Sequence, residues 1–581
     1  MRRPDHSLRH SFHVHRLLFA TALASVGCYS AGDGQTPPED RIYFPVGLAL
    51  VNDQKHLLVA NSDFDLQYNA GTLNVLDVTQ LAPLLTVPCT ADDDCTAAAE
   101  RCATESGSAD CNARLACNSA LGLCVDAPGS DRFCGVLDER AVQDQLLSPG
   151  ACAYIEPSSP PHRAGDAGRL LLSEVQIGAF ATDVVYRKRP ASTDSAENMD
   201  VAGRAFVPVR GDATLHWIDV SASGSLDCGQ QNGNACDDAH RAGNHEEENS
   251  RDLRLASEPF AVDASPDGAA VMVTNQTSGT VSLFVNRWNP GEIPALEFAV
   301  TGLPARPVGL AALPTPAYVA ASGAPYPPGF LVTFRNAPEI DLLRYYNDAN
   351  RASGPGSPIA RPYAARTGVG AITINSVGSD SRGIAVDSSQ RSRAEDACGE
   401  PFNLDAACVR DSECVARLTP AERSALNDCL NKASATPLDV FVANRTPATL
   451  LLGRTAPVQN ALESTEIPNF YDSLPLTLGP SRVVVGNVIT DGVDDRRRVF
   501  VVCFDSRRIF VYDPKARRLD AEIMTGRGPH ALAIDEQRGL LFVGHFTDSF
   551  ISVVSLDRRF PKTYATTLGI IGKPTPPRAS K

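Results

Sequence analysis

The chain has 581 residues, of which 43% are hydrophobic and 21% charged, and its formal net charge is −15. This is the composition of an ordinary globular protein. The acidic balance excludes a general nucleic-acid binder, because phosphate binding needs a basic surface.

The first 28 residues are predicted to be a targeting segment. An arginine-rich start precedes an apolar run at residues 17–27, which is too short to span a bilayer. Ser25-Val26-Gly27-Cys28 resembles a bacterial lipobox, in which Cys28 is lipidated and becomes the new N-terminus. Cleavage after Ala24 by ordinary signal peptidase is the alternative. Residues 29–40 have the small, polar composition of a tether. No later apolar run reaches 18 residues, so membrane contact is expected through the lipid alone.

Seven copies of one strand pattern follow. In the clearest copy, Pro259-Phe-Ala-Val-Asp-Ala-Ser-Pro-Asp-Gly268 leads into Val271-Met-Val-Thr-Asn275 and then into an alternating strand at residues 280–285. Two similar copies start at Pro45 and Pro529, and looser copies start near residues 181, 307, 382 and 482. Each copy is predicted to form a four-stranded antiparallel meander.

A single meander of this kind cannot bury both of its faces, whereas radial stacking of the copies hides both. The predicted fold class is therefore all-β: a seven-bladed β-propeller of four-stranded antiparallel blades, with disulfide-rich loop insertions. It is expected to occupy residues 41–573, followed by a tail at residues 574–581. Another all-β array is the alternative.

Two short motifs carry a family resemblance. Ser265-Pro-Asp-Gly268 and Val273-Thr-Asn275 resemble the YVTN family of bacterial β-propeller repeats. The resemblance covers roughly residues 42–570. It implies a propeller fold and an exported protein, and it implies no particular activity.

The cysteines point to an oxidising compartment. Of the 16 cysteines, Cys28 is assigned to the lipid, and Cys503 lies in an apolar strand and is expected to be a buried free thiol. The other fourteen form three even-numbered local clusters, which predicts disulfides within each cluster. Structural zinc is the alternative, but no C-x2-C pair occurs, so neither a metal nor a cofactor is predicted. The clusters are Cys89, Cys95, Cys102, Cys111, Cys117, Cys124, Cys134 and Cys152; Cys228 and Cys236; and Cys398, Cys408, Cys414 and Cys429.

The three clusters lie in insertions at residues 82–165, 221–250 and 390–435. With the strands of a blade lettered A to D from the tunnel outwards, these insertions fall in A–B or C–D connections. Neighbouring strands are antiparallel, so all of these connections share one end of the blades. We call that end the insertion face and the opposite end the bare face. Long loops on a rigid scaffold are frequent binding sites. The alternative is that the insertions are tolerated and have no function.

A cationic slot is predicted at the starts of the innermost strands. In blades 5, 6 and 7 the residue before the apolar run is Arg382, Arg482 or His530, which places all three on one arc of the tunnel mouth on the bare face. Positive potential in a concave mouth attracts anions, so a small anion is the expected tunnel ligand. The alternative is that each arginine binds backbone carbonyls or an aspartate of a neighbouring blade. Arg496-Arg497-Arg498 is interpreted as an exposed surface stretch whose positive charges are balanced by the acidic residues that precede it.

The expected function is non-catalytic, because the familiar catalytic motifs are missing from the sequence. The protein is expected to be a binding or scaffold protein of the bacterial cell envelope, lipid-anchored in the outer membrane or periplasm, or secreted. Its expected partner is an envelope protein or a glycan, bound through the insertion face. The alternative is a propeller enzyme of lactonase-like or quinoprotein-like type, which would need a carboxylate that converges with His530 and the arginines at the tunnel mouth.

Overall fold

The computed structural model describes most of the chain between residues 34 and 575. The predicted targeting segment with Cys28, four cysteines of the first cluster (Cys102, Cys111, Cys134 and Cys152) and the tail lie outside the described residues. The described residues are 34–38, 40–81, 84–85, 87–97, 100, 116–118, 122–125, 154–158, 169–190, 200–230, 234–244, 253–289, 291–318, 327–346, 363–373, 379–455, 466, 468–492 and 496–575.

Seven antiparallel sheets form a closed ring, which confirms the seven-bladed propeller. The innermost strands of successive blades contact one another all the way round, and the last contacts the first. Blade 1 contains β1 (Pro45–Val51), β2 (His56–Asn61), β3 (Gly71–Asp77), a 3-10 helix (Val78–Leu81) after β3, and β7 (Leu171–Ile177), and its insertion contains β4 (Ala116–Asn118), β5 (Leu123–Val125) and β6 (Tyr154–Ile155). Blade 2 contains β8 (Val185–Lys188), β9 (Val201–Val209), β10 (Thr214–Ser221), β11 (Leu226–Asp227), a 3-10 helix (Asp238–His240) and β12 (Arg241–Ala242).

The other five blades are consecutive meanders. Blade 3 contains β13 (Pro259–Ala264), β14 (Ala270–Asn275), β15 (Thr280–Val285) and β16 (Ala295–Val300), and blade 4 contains β17 (Pro307–Ala312), β18 (Gly329–Phe334), β19 (Glu339–Tyr346) and β20 (Tyr363–Thr373). Blade 5 contains β21 (Ser379–Asp387), β22 (Asp439–Thr446), β23 (Ala448–Thr455) and β24 (Pro468–Pro475). Blade 6 contains β25 (Pro480–Asn487), β26 (Arg497–Cys503), β27 (Arg508–Asp513) and β28 (Arg518–Met524), and blade 7 contains β29 (Pro529–Asp535), β30 (Leu540–His545), β31 (Phe550–Ser555) and β32 (Thr567–Ile571).

Blade 2 departs from the four-stranded pattern. Its outer edge consists of two short strands, β11 and β12, which both pair with β10. These strands lie within the predicted insertion at residues 221–250, where the Cys228–Cys236 bridge closes the chain between them. A disulfide-closed loop therefore covers the edge that a fourth strand covers in the other blades.

A left-handed residue lies at the start of the innermost strand of every blade, before the strand in six blades and within it, at Asp380, in blade 5. In six blades its carbonyl accepts the backbone N–H of the residue just after the second strand, as in Ser62 to Phe44 and Phe546 to Gly528. Five of the seven are not glycine, although such φ angles are uncommon for other residues, so the turn geometry dictates this conformation. The seven, with φ between 47° and 86°, are Phe44, Phe180, Glu258, Arg306, Asp380, Gly479 and Gly528.

The ring is closed without a strand shared between its first and last blades. In the described sheets, blade 1 is built from the N-terminal part of the propeller and the four meander strands of blade 7 from its C-terminal part. The blade 1 insertion joins them, because β6 adds to the edge of blade 7 in parallel with β32. The Ile155 carbonyl accepts the Gly572 N–H at 2.8 Å. The first insertion thus fastens blade 1 to blade 7.

The blade 5 insertion is a small helical module, which the sequence analysis did not predict. It contains α1 (Ser389–Ala397), α2 (Ser412–Ala416) and α3 (Pro420–Ser434), with 3-10 turns at Glu400–Phe402 and Cys408–Arg410, around its own apolar core. The signal was present: Thr419 and Glu422 form a capping box with Pro420 in the first helical turn, a sequence signature of a helix start. Among the described residues, no helix is long and apolar enough to cross a membrane.

The prediction of disulfide-rich insertions is confirmed. Each bridge among the described residues joins two cysteines of one cluster, and Cys503 is free and buried. The bridges are Cys89–Cys117, Cys95–Cys124, Cys228–Cys236, Cys398–Cys429 and Cys408–Cys414.

The interpretation of Arg496-Arg497-Arg498 as a surface run is wrong for Arg498. Its side chain is 0% exposed, because the second position of β26 faces the packed interior between blades. Its guanidinium lies 2.9 Å from Asp520 and 3.2 Å from Asp513, both buried. The arginine is neutralised, as expected, but by a buried network.

Candidate functional site

The predicted slot residues line one cavity in the tunnel. Arg382, Arg482 and His530 share a space of about 250 Å³ between the innermost strands. They are not at equivalent positions, however. Arg382 and His530 lie inside the register shift of their strands, whereas Arg482 is the residue at which pairing resumes after the shift in β25. A β-bulge at this point of the innermost strands hides the difference from a sequence comparison.

Arg482 pairs across the tunnel with Asp183. The Arg482 Nη2 atom lies 2.7 Å from the Asp183 Oδ1 atom, and blades 6 and 2 lie on opposite sides of the ring. Burial raises the pKa of Asp183, and the Arg482 charge opposes that rise. The equivalent positions in the other five blades carry only glycine or alanine, which leaves room for the pair. These five are Gly47, Ala261, Gly309, Gly383 and Ala531.

Arg382 also has a carboxylate partner. Its guanidinium binds Asp380 through two nitrogens, one of them at 3.0 Å, and Arg335 lies 3.6 Å from the same carboxylate. Both slot arginines are therefore paired with aspartates, as the alternative interpretation supposed. The partners differ from those expected: Asp380 belongs to the same blade as Arg382, and Asp183 to the blade opposite Arg482.

His530, from which a third positive charge is expected at lower pH, lies in a strongly apolar environment. Its ring lies between Phe504 and Phe546, at centroid distances of 6.5 Å and 6.2 Å. Burial, helped by the Arg482 charge, lowers the pKa of His530 to about 3. The imidazole is therefore neutral at physiological pH.

This pKa shift predicts a specific acid sensitivity. The unfolded chain takes up a proton on His530 below pH 6.5, whereas the folded protein does so only near pH 3. The free energy of unfolding must therefore fall as the pH falls from 6.5 towards 3. We expect His530→Gln to lose less stability than the unmutated protein between pH 7 and pH 4.5 in urea unfolding. Equal losses would contradict the placement of His530.

A second cavity opens from the tunnel on the bare face. It measures about 170 Å³ and shares Thr182, Phe260 and His530 with the tunnel cavity. The Phe64 ring lies edge-on at 5.1 Å from Phe546 and 5.9 Å from Phe180. We call this cavity the phenylalanine cup. Its five aromatic walls are Phe64, Phe180, Phe260, Phe504 and Phe546.

The sequence pattern did not predict the phenylalanine cup, because its five phenylalanines occupy different positions within the repeat. Phe180 is the left-handed residue before an innermost strand, whereas Phe504 and Phe546 directly follow second strands. In the sequence, the cationic slot involves only one position of each blade, the residue before the apolar run of the innermost strand. The repeated signal was an aromatic residue just after the second strand of blades 6 and 7, with Phe64 three residues after β2 in blade 1.

The loop that carries Phe64 is unusual at its base. Asp63 has a φ of 51° and is fully buried, and its Oδ2 atom finds no hydrogen-bond partner among the described residues. Its Oδ1 atom accepts the Tyr68 N–H at 3.2 Å. Burial raises the pKa of Asp63 to about 7. Phe64 itself is 49% exposed, so the rim of the cup is an apolar surface in contact with solvent.

Comparisons with known proteins assign no family. No protein-family model and no curated protein matches the chain. A functionally unknown protein from Desulfotomaculum acetoxidans is 13% identical, with a TM-score of 0.38, over 70% of this chain and 89% of its own. The periplasmic gluconolactonase of Pseudomonas aeruginosa is 11% identical, with a TM-score of 0.38, over 83% and 86%. Virginiamycin B lyase from Staphylococcus aureus is 7% identical, with a TM-score of 0.34, over 88% and 94%. Likeness at this level transfers neither activity to this chain.

Proposed function

We propose that this propeller is an exported binding protein that takes a small ligand into the phenylalanine cup on its bare face. The observation that carries the proposal is the cup itself, in which five phenylalanines surround about 170 Å³. An apolar cavity of about 150 Å³ is large enough to bind benzene. Small-molecule sites are typically apolar cavities with a few fixed polar groups, and the tunnel below supplies those groups.

The polar groups of the tunnel favour binding over catalysis. Arg482 and Arg382 are held by Asp183 and Asp380, and His530 has a pKa of about 3. A general base is most effective when its pKa lies near the working pH, so this imidazole is a poor proton acceptor at neutral pH. Fixed charges of this kind orient a ligand and do not exchange protons with it.

An envelope location is part of the proposal. Five disulfides among the described residues need an oxidising compartment to form, and the lipobox-like sequence before Cys28 supports a lipid anchor. Partition into a detergent phase that is abolished by Cys28→Ala tests the anchor. Soluble behaviour of the unmutated protein would instead favour cleavage after Ala24.

Titration calorimetry with indole, an uncharged ring that fits the cup, tests the ligand site. We expect saturable binding that is weakened about tenfold by Phe504→Ala, because one aromatic contact contributes about 0.5–1.5 kcal/mol beyond its buried area. Leu519→Ala removes an exposed apolar side chain from the outer strand β28 and should leave the affinity unchanged. Absence of indole binding, or equal affinity in Phe504→Ala, would contradict the proposal.

One observation favours an enzyme as the second candidate. Asp183 supplies the carboxylate that a lactonase-like tunnel mouth requires, and it lines the same cavity as Arg482 and His530. Hydrolysis of a sugar lactone by the purified protein, abolished in Asp183→Asn, would support that candidate. Saturable ligand binding without turnover would reject it.

A further inference from the structure

The bare-face mouth is chemically divided between its two sides. Blades 4 and 5 contribute four arginines, which we call the arginine arc: Arg306, Arg335, Arg382 and Arg445. Arg306 is the left-handed residue before β17, and Arg335 follows β18 and donates its backbone N–H to the Arg306 carbonyl at 3.0 Å. Arg382 begins the apolar part of β21, and Arg445 lies near the end of β22. The turn geometry that places phenylalanines on the other blades places guanidiniums here.

The arc carries more positive than negative charge. The guanidiniums of Arg335 and Arg382 share the Asp380 carboxylate, and burial together with the charges of Arg382, Arg306 and Arg445 lowers the pKa of Arg335. Two aspartates bind within the arc: Asp380 contacts Arg382 and Arg335, and Asp505 binds Arg445. Glu258, nearby, is bound by Arg210, which also lines the cup. Among the described residues, the four guanidiniums of the arc thus bind two carboxylates, and the Arg306 charge also helps to lower the pKa of Glu258, which Arg210 neutralises.

Arg382 connects the arc to the cup. It lines the tunnel cavity together with Phe260 and His530, and both of these also line the cup. A molecule seated in the cup therefore lies beside the cationic side of the mouth. Arg482, the deeper arginine, is neutralised across the tunnel by Asp183, so an anionic group is better stabilised at the arc than in the tunnel.

We infer that the mouth binds a small amphipathic anion, with a small aromatic body in the phenylalanine cup and a carboxylate on the arginine arc. The inference rests on the proposed function and adds the ligand class to it. Guanidinium groups match carboxylates in a bidentate geometry, and a concave mouth focuses the positive potential even on an acidic protein. The cup alone would accept any ring of this size, and the arc selects those that carry a negative charge.

Titration calorimetry with indole and indole-3-acetate separates the two contributions. We expect indole-3-acetate to bind at least tenfold more tightly than indole at low salt, and this advantage should shrink at 0.5 M salt because exposed charges are screened. The double variant Arg306→Gln with Arg335→Gln should abolish the advantage and leave indole affinity unchanged. The matched control is Arg508→Gln, which removes a partly exposed arginine paired with Glu522 in blade 6.

The outcomes distinguish the two proposals. If indole does not bind, the ligand site itself is wrong. If indole binds but indole-3-acetate binds no more tightly, or the double variant retains the tenfold advantage, the arc does not recognise anions and this inference is overturned. If Phe504→Ala leaves indole-3-acetate affinity unchanged, the anion binds outside the cup, which also overturns it.

Discussion

Arg498→Met is expected to destabilise the protein by about 3–5 kcal/mol, the range for breaking a buried ion pair by removing one partner. The guanidinium is fully buried in β26 and neutralises the carboxylates of Asp513 and Asp520, which are themselves about 5% exposed. Without it, the buried Asp513 carboxylate loses its ion pair, and Asp520 keeps only Arg558, at 3.2 Å, and the Tyr564 hydroxyl, at 2.6 Å. Urea unfolding at pH 7 measures the loss.

Two further variants test this explanation. Arg508→Met removes an arginine whose ion pair with Glu522 is more than one third exposed, and such pairs contribute at most about 1 kcal/mol. Arg498→Met combined with Asp513→Asn removes the carboxylate that Arg498→Met leaves unpaired and should recover part of the lost stability, whereas Asp520 stays paired with Arg558. A loss below 1 kcal/mol for Arg498→Met alone would show that the network is not the buried structural element described above.

Gly383→Ala is expected to cost about 1–3 kcal/mol, the range for overpacking a tight interior. A Cβ atom on Gly383 would lie 2.7 Å from the Arg482 Cα atom and 2.8 Å from the Val483 nitrogen. Both are backbone atoms of β25, so no side chain can rotate away and blades 5 and 6 must separate. The shift would also disturb the ion pair between Arg482 and Asp183.

Gly492→Ala is the matched control for this substitution. A Cβ atom there meets nothing within 4 Å, and glycine-to-alanine changes at such sites are neutral or slightly stabilising, through the unfolded state. Thermal unfolding of the two variants should therefore shift in different directions. A Gly383→Ala protein as stable as the unmutated protein would mean that the innermost strands are packed loosely enough to accommodate the added methyl group.

The repeat made the fold predictable, because its signals are local. The alternation in residues 280–285 and the turn at Ser265-Pro-Asp-Gly268 each specify structure within one blade, and stacking then follows from burial. The helices of the blade 5 insertion were equally readable from Thr419 and Glu422. Local patterns of this kind can be recognised in the sequence of one blade without reference to the neighbouring blades.

The site was less predictable, because it depends on register between distant strands. Asp183 and Arg482 are 299 positions apart, and Arg482 occupies the position of Gly383, one residue after the position of Arg382. The phenylalanine cup combines residues before first strands with residues after second strands. The burial of Arg498 depends on which side of β26 faces the adjoining blade, which the charge pattern of the sequence does not encode.

The start of β1 determines how an anchored molecule would be oriented. Strand β1 begins at the bare face with Pro45, and the preceding Phe44 is one of the seven left-handed residues around the mouth. Residue 35 reaches the loop that carries Phe64, since the Gln35 carbonyl accepts the Asn69 N–H at 2.9 Å. Because Gln35 is held at this loop, a lipid on Cys28 would lie seven residues from the mouth, a reach of at most about 25 Å. The membrane would then hold the ligand entrance close to its own surface, and the disulfide-bonded insertions would point away from the bilayer.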